Sequence, residues 1–347
     1  MSHTMKRILL LSLLASIALV GCQSPSSDSS TTPEPNSTAS TGGDALKKMP
    51  RVAVIPKGTT HEFWKAVHAG AEAAGKEFSV EVIWKGPLKE DDLEDQIKVV
   101  EDFTTQKVDG LVVAPLSDTG MRTSISAAIT EGIPVVIFDS GLKDVETSSF
   151  VATDNKVAGG MGGKKLIESM GEGAKKVIVL RYQEGSASTN ERETGAIEAL
   201  KANTNITILS DNQYGGATTE SAQKASENLL NRFKGANGEP GFDGVFCPNE
   251  SSTFGMLRAL QDAGWAGKVK FVGFDSSEKL MEALKKNEIN GLVLQNPYKI
   301  GYEAVKAMAM KIRGEAVEAR IDTGAVIVDS ANLETDEIKK VLNPAAK

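Results

Sequence analysis

Residues Ile133 to Gly141 read IPVVIFDSG, a short apolar run followed by an aspartate. Further apolar runs of strand length recur along the body of the chain, and segments of helical periodicity separate them. Helices between consecutive strands favour a parallel sheet that is covered by helices on both faces. The predicted strands are Arg51 to Ile55, Val80 to Trp84, Gly110 to Ala114, Pro134 to Phe138, Val177 to Leu180, Ile206 to Leu209, Gly244 to Cys247, Lys270 to Phe274 and Gly291 to Leu294.

Apolar residues also recur at helical spacing, with one row from Leu93 to Phe103 and another from Ile300 to Ile312. Thr59 and Glu62 have the spacing of a capping box, which predicts a helix start at this point. These strands are too many for one small domain, and a length of 347 residues corresponds to about two domains. The pattern therefore predicts an α/β fold with two domains.

The composition excludes several classes of protein. With 39 Lys and Arg against 46 Asp and Glu, the formal charge is −7, which disfavours nucleic acid as a partner. The two cysteines, Cys22 and Cys247, are too few for a disulfide scaffold or a multi-cysteine metal site. Cys247 falls inside an apolar strand, so we expect it to be a buried free thiol. No metal and no cofactor are predicted.

The first residues have the pattern of a targeting segment. Lys6 and Arg7 precede an apolar run from Ile8 to Val20 that is too short for a comfortable membrane span. Its end resembles a bacterial lipobox, so residues 1–21 are predicted to be a lipoprotein signal peptide and Cys22 the lipidated residue. An ordinary signal peptide or an uncleaved anchor helix is the alternative. We therefore expect an extracytoplasmic protein that is lipid-anchored to a bacterial membrane, either in the periplasmic space or at the cell surface.

Residues 22–49 follow the targeting segment and are rich in Ser, Thr and Pro. This composition has almost nothing to bury, so it predicts a flexible tether. The tether would let the folded body reach away from the bilayer.

Polar side chains stand close behind four predicted strands, at Asp139, Asn249, Asp275 and Gln295. Ligands of open parallel sheets bind beyond the carboxyl ends of the strands, so these groups can converge on one small molecule. Helix capping is the alternative for any one of them, because Asp and Asn are common at helix starts. Carboxylates and amides suit a ligand that is rich in hydroxyl groups.

The first strand leads into a turn that carries Lys57, His61, Phe63 and Trp64. Phe63 continues an apolar helical row, so it can be a core residue. Trp64 points in a different direction from its neighbour, and its flat ring can stack on the apolar face of a sugar. A polar segment from Gly185 to Arg192 follows another strand and opens a helix.

Together these segments resemble the bacterial periplasmic sugar-binding proteins of the ribose and galactose type, whose lobes are related to the effector domains of lactose-repressor-like regulators. The resemblance extends from Pro50 to Ile327. Its most specific motifs are IPVVIFDSG (133–141), VATDN (151–155), GSASTNERETG (185–195), the run around Asn249, VGFD (272–275) and GLVLQNP (291–297).

The resemblance implies a type I periplasmic binding protein fold. In that fold two doubly wound parallel-sheet lobes are joined by a three-crossing hinge, here expected near Thr153, Gln295 and Asp322. Each lobe is then built from discontinuous sequence. The expected N-terminal lobe comprises residues 50–153 and 296–322, and the expected C-terminal lobe comprises residues 154–295 and 323–347.

The resemblance also assigns site residues. Ser140 stands where ribose binders usually have an arginine, so the sugar need not be ribose. Asn190 aligns best with a second binding arginine of the family, and Arg192 lies two positions later. The lysine after the first strand, Lys57, is similar to that of relatives that bind rhamnose or a furanosyl quorum signal. Lys57 is therefore a possible further ligand-binding residue. The implied ligand-binding residues are His61, Phe63, Trp64, Asp139, Ser140, Asn190, Arg192, Asn249, Asp275 and Gln295; no catalytic residue is predicted.

The function implied is that of a monomeric lipoprotein that captures a monosaccharide by closing its lobes and delivers it to an inner-membrane ABC permease and its ATPase. A sensory lipoprotein for a sugar-like quorum signal is one alternative. A glycosidase that uses Asp139 and Asp275 as a carboxylate pair is another, because paired acids could hydrolyse a bound sugar.

The glycines from Gly159 to Gly163 do not match a phosphate-binding loop and indicate close helix packing instead.

Overall fold

The computed structural model describes residues 48–343. The predicted signal peptide, Cys22 and most of the predicted tether lie outside these residues, as do residues 344–347. Within the described range, no helix combines the length and apolar content that a membrane span needs. The elements are β1 (Arg51–Ile55), α1 (Glu62–Phe78), β2 (Glu81–Trp84), α2 (Leu93–Thr105), β3 (Gly110–Val113), α3 (Arg122–Thr130), β4 (Val135–Phe138), β5 (Ser149–Ala152), α4 (Asn155–Met170), β6 (Lys175–Arg181), α5 (Ala187–Lys201), β7 (Ile206–Tyr214), α6 (Thr219–Arg232), β8 (Gly244–Phe246), α7 (Glu250–Asp262), β9 (Lys270–Phe274), α8 (Glu278–Lys285), β10 (Gly291–Gln295), α9 (Pro297–Ile312), β11 (Arg320–Asp322), β12 (Ala325–Val328) and α10 (Asp336–Leu342).

These strands form two six-stranded sheets. The sheet of the N-terminal lobe has the order β2-β1-β3-β4-β5-β11 and is parallel throughout. The sheet of the C-terminal lobe has the order β7-β6-β8-β9-β10-β12 and is parallel except where β12 runs against β10. If the strands of each sheet are numbered by their order along the chain, both sheets have the spatial order 2-1-3-4-5-6. The lobes thus repeat one doubly wound topology, and the predicted fold class is confirmed.

Each predicted strand is present, with ends that differ by a few residues, and the sequence pattern misses β5, β11 and β12. β11 and β12 are edge strands of three and four residues, and most of their side chains are only partly buried or exposed. Short edge strands need little continuous apolar sequence because one side has no neighbouring strand. β5 has four residues and begins with Ser149, so it also lacks a long apolar run.

Both faces of each sheet are buried, which explains the continuous apolar runs. In β1, Val52 and Val54 pack on the side of α1 and α9. Ala53 and Ile55 face the other way and pack with residues of α2 and α3. All four side chains are buried. A strand with helices on both sides cannot alternate apolar and polar residues, so its sequence reads as one apolar run.

The chain passes between the two sheets after β5, after β10 and after β11. The first and third crossings are bonded side by side. The Asp322 carboxylate accepts hydrogen bonds from the backbone N–H groups of Asp154 at 3.1 Å and Gly324 at 2.9 Å. The Thr153 hydroxyl donates to the Gly324 carbonyl oxygen at 3.1 Å, and the Arg320 guanidinium donates to the Thr153 carbonyl oxygen at 3.1 Å. These bonds hold the first and third crossings together.

The expected close helix packing near Gly159 is found between α4 and α5. A Cβ atom on Gly159 would overlap the carbonyl group of Arg192, and one on Gly195 would overlap the carbonyl group of Lys156. The two helices therefore touch through their backbones. This contact fixes the distance between α4 and α5, and α5 carries Arg192.

The predicted capping box at Thr59 and Glu62 is wrong. Helix α1 begins at Glu62, and His61 at its N-cap position makes no side-chain capping bond. The Thr59 hydroxyl instead donates to the carbonyl oxygen of Pro87 at 3.3 Å. The first N–H groups of α1 therefore depend on an acceptor from elsewhere in the fold.

The packing of α4 on α5 predicts opposite effects for two adjacent glycines. We expect Gly159→Ala to lower the free energy of unfolding by about 1–3 kcal/mol, because the Arg192 backbone cannot move aside as a side chain can. A Cβ atom on Gly160 would lie 3.7 Å from the Gly195 carbonyl oxygen, an ordinary van der Waals distance, so Gly160→Ala should be neutral or stabilising by up to about 1 kcal/mol. Urea unfolding of the purified variants measures both values. Equal destabilisation by the two substitutions would contradict the backbone contact.

Candidate ligand-binding site

A small cavity lies between the lobes, where strands of both sheets end. Its volume is about 30 Å³, which corresponds to about one or two water molecules. A ligand of monosaccharide size can therefore enter only when the lobes separate or the lining side chains rearrange. The lining residues are Lys57, His61, Phe63, Trp64, Glu90, Asp139, Tyr182, Ser188, Thr189, Arg192, Asn249, Glu250, Asp275 and Gln295.

Two aspartates occupy equivalent positions in the two lobes. Asp139 follows β4 and Asp275 follows β9, the fourth strand of each sheet. Both have a left-handed backbone, with φ of 59° at Asp139 and 64° at Asp275. Among residues with a side chain, Asp and Asn tolerate this conformation best. The sharp turn ends the strand, and both carboxylates line the cavity.

The Asp139 carboxylate is paired with Lys57, which is 3% exposed. The Lys57 Nζ atom lies 3.2 Å from Asp139 Oδ2. It also donates to the hydroxyl oxygens of Ser188 at 3.0 Å and Ser186 at 3.3 Å, both in the C-terminal lobe. Lys57 therefore joins a carboxylate of its own lobe to hydroxyl groups of the other lobe.

The Asp275 carboxylate lies in a second polar cluster. It accepts a hydrogen bond from Gln295 Nε2 at 2.7 Å, and Arg192 Nη1 lies 4.0 Å away. Burial raises the pKa of Asp275, while the Arg192 charge and the Gln295 bond act in the opposite direction. Arg192 is held by Asn155 Oδ1 at 2.8 Å, and its guanidinium lies 4.3 Å from the Phe274 ring centre. The guanidinium is therefore fixed from several sides.

Two atoms of this cluster have no hydrogen-bond partner within residues 48–343. They are Arg192 Nη2, a donor, and Gln295 Oε1, an acceptor, and both are buried. Buried polar groups in proteins are nearly always paired, because an unpaired group loses its bonds to water without replacement. One unpaired donor and one unpaired acceptor beside the same cavity match the bonding capacity of a hydroxyl group.

The aromatic wall consists of Phe63 and Trp64. Their ring centres are 4.9 Å apart with the rings nearly perpendicular, and Trp64 also meets Phe138 edge to face. Both rings line the cavity, and both belong to the apolar core of the N-terminal lobe. Phe63 is therefore a core residue that also lines the cavity.

Glu90 is the main site residue that sequence reasoning misses. Its carboxylate accepts hydrogen bonds from Trp64 Nε1 at 2.6 Å and from the Tyr182 hydroxyl at 2.7 Å, and it lies 2.7 Å from His61 Nδ1. Burial alone would raise the pKa of Glu90, but the bond and charge of His61 and the charge of Lys57 lower it to about 2. Likewise, burial would lower the pKa of His61, but Glu90 raises it to about 9. Glu90 and His61 therefore form an ion pair at neutral pH.

A family model described as periplasmic binding protein domain matches residues 52–316. The chain belongs to this family. The expected resemblance is confirmed at this level, and membership of a periplasmic family implies an extracytoplasmic location.

Individual relatives of this periplasmic binding protein are sugar-binding proteins by name. The D-allose-binding periplasmic protein of Escherichia coli (strain K12) is 28% identical over 263 residues, which cover 74% of this chain and 82% of the relative. A solute-binding protein from Agrobacterium vitis, solved with bound D-fucose, is 33% identical with a TM-score of 0.78, covering 83% of this chain and 98% of that one. A carbohydrate transporter solute-binding protein from Agrobacterium radiobacter, solved with D-arabinose, is 29% identical with a TM-score of 0.80, covering 86% and 100%.

Two expected site residues of this periplasmic binding protein lie outside the cavity lining. Ser140 is fully buried, and its hydroxyl oxygen accepts the backbone N–H of Ser188 at 3.1 Å, so it joins the lobes. Asn190, which aligns best with the family's binding arginine, is the second of these residues, whereas Arg192 lines the cavity. Helix α5 begins at Ala187, so Arg192 lies one turn after Ser188 on the same face, whereas Asn190 points elsewhere.

Asn249 is a helix cap that also lines the cavity. It lines the cavity, and its side-chain oxygen also accepts the backbone N–H of Ser252 at 3.2 Å in a capping box for α7. Asp139 and Asp275 are not N-cap residues of any helix in residues 48–343. Asn249 is thus the N-cap residue of α7, and Asp275 Oδ2 also accepts an N–H of the same helix, that of Glu250, at 3.0 Å.

Glu90 had no recognisable signal in the sequence. It lies in the acidic run KEDD between β2 and α2, which is typical of a solvated loop rather than a strand end. Tyr182 directly follows β6 and Glu250 is the first residue of α7, and no spacing rule selects either of them. Tertiary packing alone brings these groups to the cavity.

The remaining sequence expectations concern cysteine and metals. Cys247 is fully buried and makes no disulfide bond within residues 48–343, and burial raises the pKa of its thiol well above the usual range. In that same part of the chain, no group of three His, Cys, Asp or Glu side chains could hold a metal ion.

The ion pair predicts a specific change in the His61 titration. In Glu90→Gln, we expect the pKa of His61 to fall from about 9 to 6.5 or below, because burial remains while the Glu90 charge is lost. The ion pair stabilises the folded protein fully between about pH 4.5 and pH 6.5. Its contribution is lost as the pH rises through 9, where His61 loses its proton, and as the pH falls through 2, where Glu90 takes up a proton. NMR titration of the imidazole resonances measures the shift, with His68→Gln to assign the signals. Glu94→Gln, an exposed change nearby, is the control, and an unchanged His61 titration in Glu90→Gln would contradict the pairing.

Proposed function

We propose that this periplasmic binding protein captures a monosaccharide between its lobes and delivers it to an inner-membrane ABC permease and its ATPase. The observation that carries this proposal is the meeting of carboxylate, amide and guanidinium groups from both lobes at one cavity, with Arg192 Nη2 and Gln295 Oε1 unpaired. The names of the relatives, which bind D-allose, D-fucose and D-arabinose, support the same ligand class.

The lining has the chemistry that a sugar requires. Hydroxyl groups both donate and accept hydrogen bonds, and the cavity offers acceptors at Asp139 and Asp275 and donors at Arg192. Phe63 and Trp64 present aromatic surface for the apolar face of a sugar ring. The proposed binding residues are Lys57, His61, Phe63, Trp64, Asp139, Arg192, Asn249, Asp275 and Gln295.

The charges of the lining favour an uncharged sugar. Two cations, Lys57 and His61, lie beside Asp139 and Glu90, and Arg192 faces Asp275. Each cation therefore already has a carboxylate partner. A sugar phosphate would bring an additional negative charge into a buried site without an additional partner, which is costly.

Closure of the lobes would be the signal that the transporter recognises. Direct bonds already link the lobes, from Lys57 to Ser186 and Ser188 and from Tyr182 to Glu90. A ligand that touches both lobes adds to these contacts only in the closed state, so it shifts the equilibrium toward closure. The bonded crossings at Thr153 and Asp322 would serve as the hinge.

A catalytic role is not part of this proposal. The carboxylates that a glycosidase would use are engaged, since Asp139 is paired with Lys57 and Asp275 accepts from Gln295. A general acid must instead keep a proton available for the leaving group. Release of the phenol from aryl glycosides would contradict this view.

Outside the described residues, we propose that residues 1–21 are removed, that Cys22 carries lipid and that residues 22–49 tether a monomeric body to the membrane. The sequence pattern from Lys6 to Cys22 supports this arrangement. Attached acyl chains contribute about 0.8 kcal/mol per buried methylene group, so several chains anchor a protein stably.

Sugar binding is tested by a thermal-shift screen over pentoses, hexoses, deoxyhexoses and furanosyl signals. We expect at least one of these compounds to raise the melting temperature and to bind with a micromolar or lower Kd. Asp139→Asn and Asp275→Asn should each weaken binding by about tenfold or more, because each change removes a charged hydrogen-bond acceptor. Glu101→Gln, which neutralises a carboxylate at an exposed position in α2, is the control. If every sugar fails while an amino acid stabilises the protein, the proposed ligand class is wrong.

The anchor is tested by Cys22→Ser. Without the thiol no lipid can be attached, so we expect the variant to leave the membrane fraction, whereas the parent protein stays in it. Fractionation of cells with an antibody against the folded body measures the difference. Equal membrane retention of both forms would favour an uncleaved anchor helix.

A further inference from the structure

Glu250 lies in the C-terminal lobe but bonds to a helix of the N-terminal lobe. It is the first residue of α7, and its Oε1 atom accepts the backbone N–H of Glu62 at 3.3 Å. Its Oε2 atom accepts the backbone N–H of Phe63 at 3.1 Å. These are the first two N–H groups of α1, the helix whose own N-cap residue makes no capping bond. The missing cap of α1 is therefore supplied across the cleft.

A carboxylate is well suited to this position. The first N–H groups of a helix have no partner within the helix, and the helix dipole favours a negative charge there. Both Glu250 oxygens are used, so the group holds α1 in two places. Since the bonds join different lobes, they can form only when the lobes are together.

Glu250 is also bonded to a proposed ligand residue. Its backbone N–H donates to Asp275 Oδ2 at 3.0 Å, so Asp275 holds the start of α7. On the other side of the cleft, the residue capped by Glu250 Oε2 is Phe63, which belongs to the aromatic wall. Asp275, Glu250 and Phe63 therefore form a continuous connection from one lobe to the other.

We propose that Glu250 is a positioning residue that couples ligand binding at Asp275 to closure of the lobes by capping α1 across the cleft. This inference rests on the proposed function and deepens it. The capping bonds exist only in the closed state, so they contribute to ligand affinity by stabilising that state. Removal of the carboxylate raises the free energy of closure and leaves the sugar-contacting groups in place.

The surroundings of Glu250 predict that closure of the lobes depends on pH. Burial raises the pKa of Glu250 to about 7, although the charge of His61 and the N–H groups of α1 act against this rise. In an open state the carboxylate would be hydrated, and its pKa would lie near the ordinary value of 4.5. The charged and titratable groups around Glu250 are His61, Glu62 and Lys65 at the start of α1, Asp275 after β9, Glu278 and Lys279 at the start of α8, and Glu90 and Arg192 in the cavity lining.

The direction of the pH effect follows from these values. An acid whose pKa is higher in the closed state is protonated more readily there, so closure takes up a proton. Closure, and with it ligand affinity, should then strengthen as the pH falls through 7. His61 contributes less to this change, because its partner Glu90 lies in its own lobe and stays beside it when the lobes separate.

The test uses the sugar identified by thermal shift and measures its Kd by calorimetry at several pH values. Glu250→Ala should weaken binding about 2- to 30-fold, the range expected for loss of a helix cap. The wild-type protein should bind about tenfold more tightly at pH 6 than at pH 8, and Glu250→Gln should lose most of this dependence. A role limited to packing would not change the pH profile.

Glu278 supplies a matched control. It is the first residue of α8 in the same lobe, as Glu250 is of α7, but it is exposed to solvent. Glu278→Ala and Glu278→Gln should keep the pH dependence of the wild type and an affinity close to it, because water screens the exposed Glu278 carboxylate. Wild-type affinity in Glu250→Ala, or an unchanged pH profile in Glu250→Gln, would overturn the Glu250 proposal and leave the proposed function standing. Absence of sugar binding by the wild-type protein would overturn both.

Discussion

Buried charge is the constraint on which the site depends. A carboxylate removed from water needs an opposite charge or several hydrogen bonds, because an unpaired ion in the protein interior costs several kcal/mol. Asp139 meets this need through Lys57, Glu90 through His61, and Asp275 through Gln295 and Arg192. The positions of these partners in turn constrain the elements that carry them. The backbone contact of α5 on α4, for example, places Arg192 beside Asn155 and Asp275.

The same constraint explains why two lobes are needed. Several carboxylates find part of their partners in the other lobe, as Glu90 does in Tyr182 and Glu250 does in the start of α1. Separation of the lobes exposes these groups to water, which then replaces the lost bonds. In the proposed mechanism, closure exchanges hydration of these groups for direct bonds, and a polyhydroxylated ligand that touches both lobes favours the closed form. In our proposal, protonation of Glu250 is a second influence on the equilibrium between the open and closed forms.

Much of the fold was predictable, and the reasons are local. Strands such as β1 and β4 are buried on both faces, so they appear in the sequence as uninterrupted apolar runs. β11 and β12 escaped prediction because edge strands need no such run. The rule that ligands bind beyond the carboxyl ends of parallel strands selected Asp139 and Asp275, and both line the cavity. The direction in which each side chain leaves helix α5 determines that Arg192, rather than Asn190, lines the cavity. The resemblance to the family did not take this direction into account.

The sequence by itself determined the alternation of strands and helices, the two-domain architecture and the polar residues that end the strands, because these features depend on periodicity over a few residues. Only the tertiary structure decided which distant groups meet. Glu90, Tyr182 and Glu250 are separated by long stretches of chain, and no local pattern marks them as partners of His61 or of α1. Their roles arise because desolvation in the closed cleft makes each polar group find a partner wherever the folded chain places one. That requirement acts in three dimensions and leaves no regular spacing in the sequence.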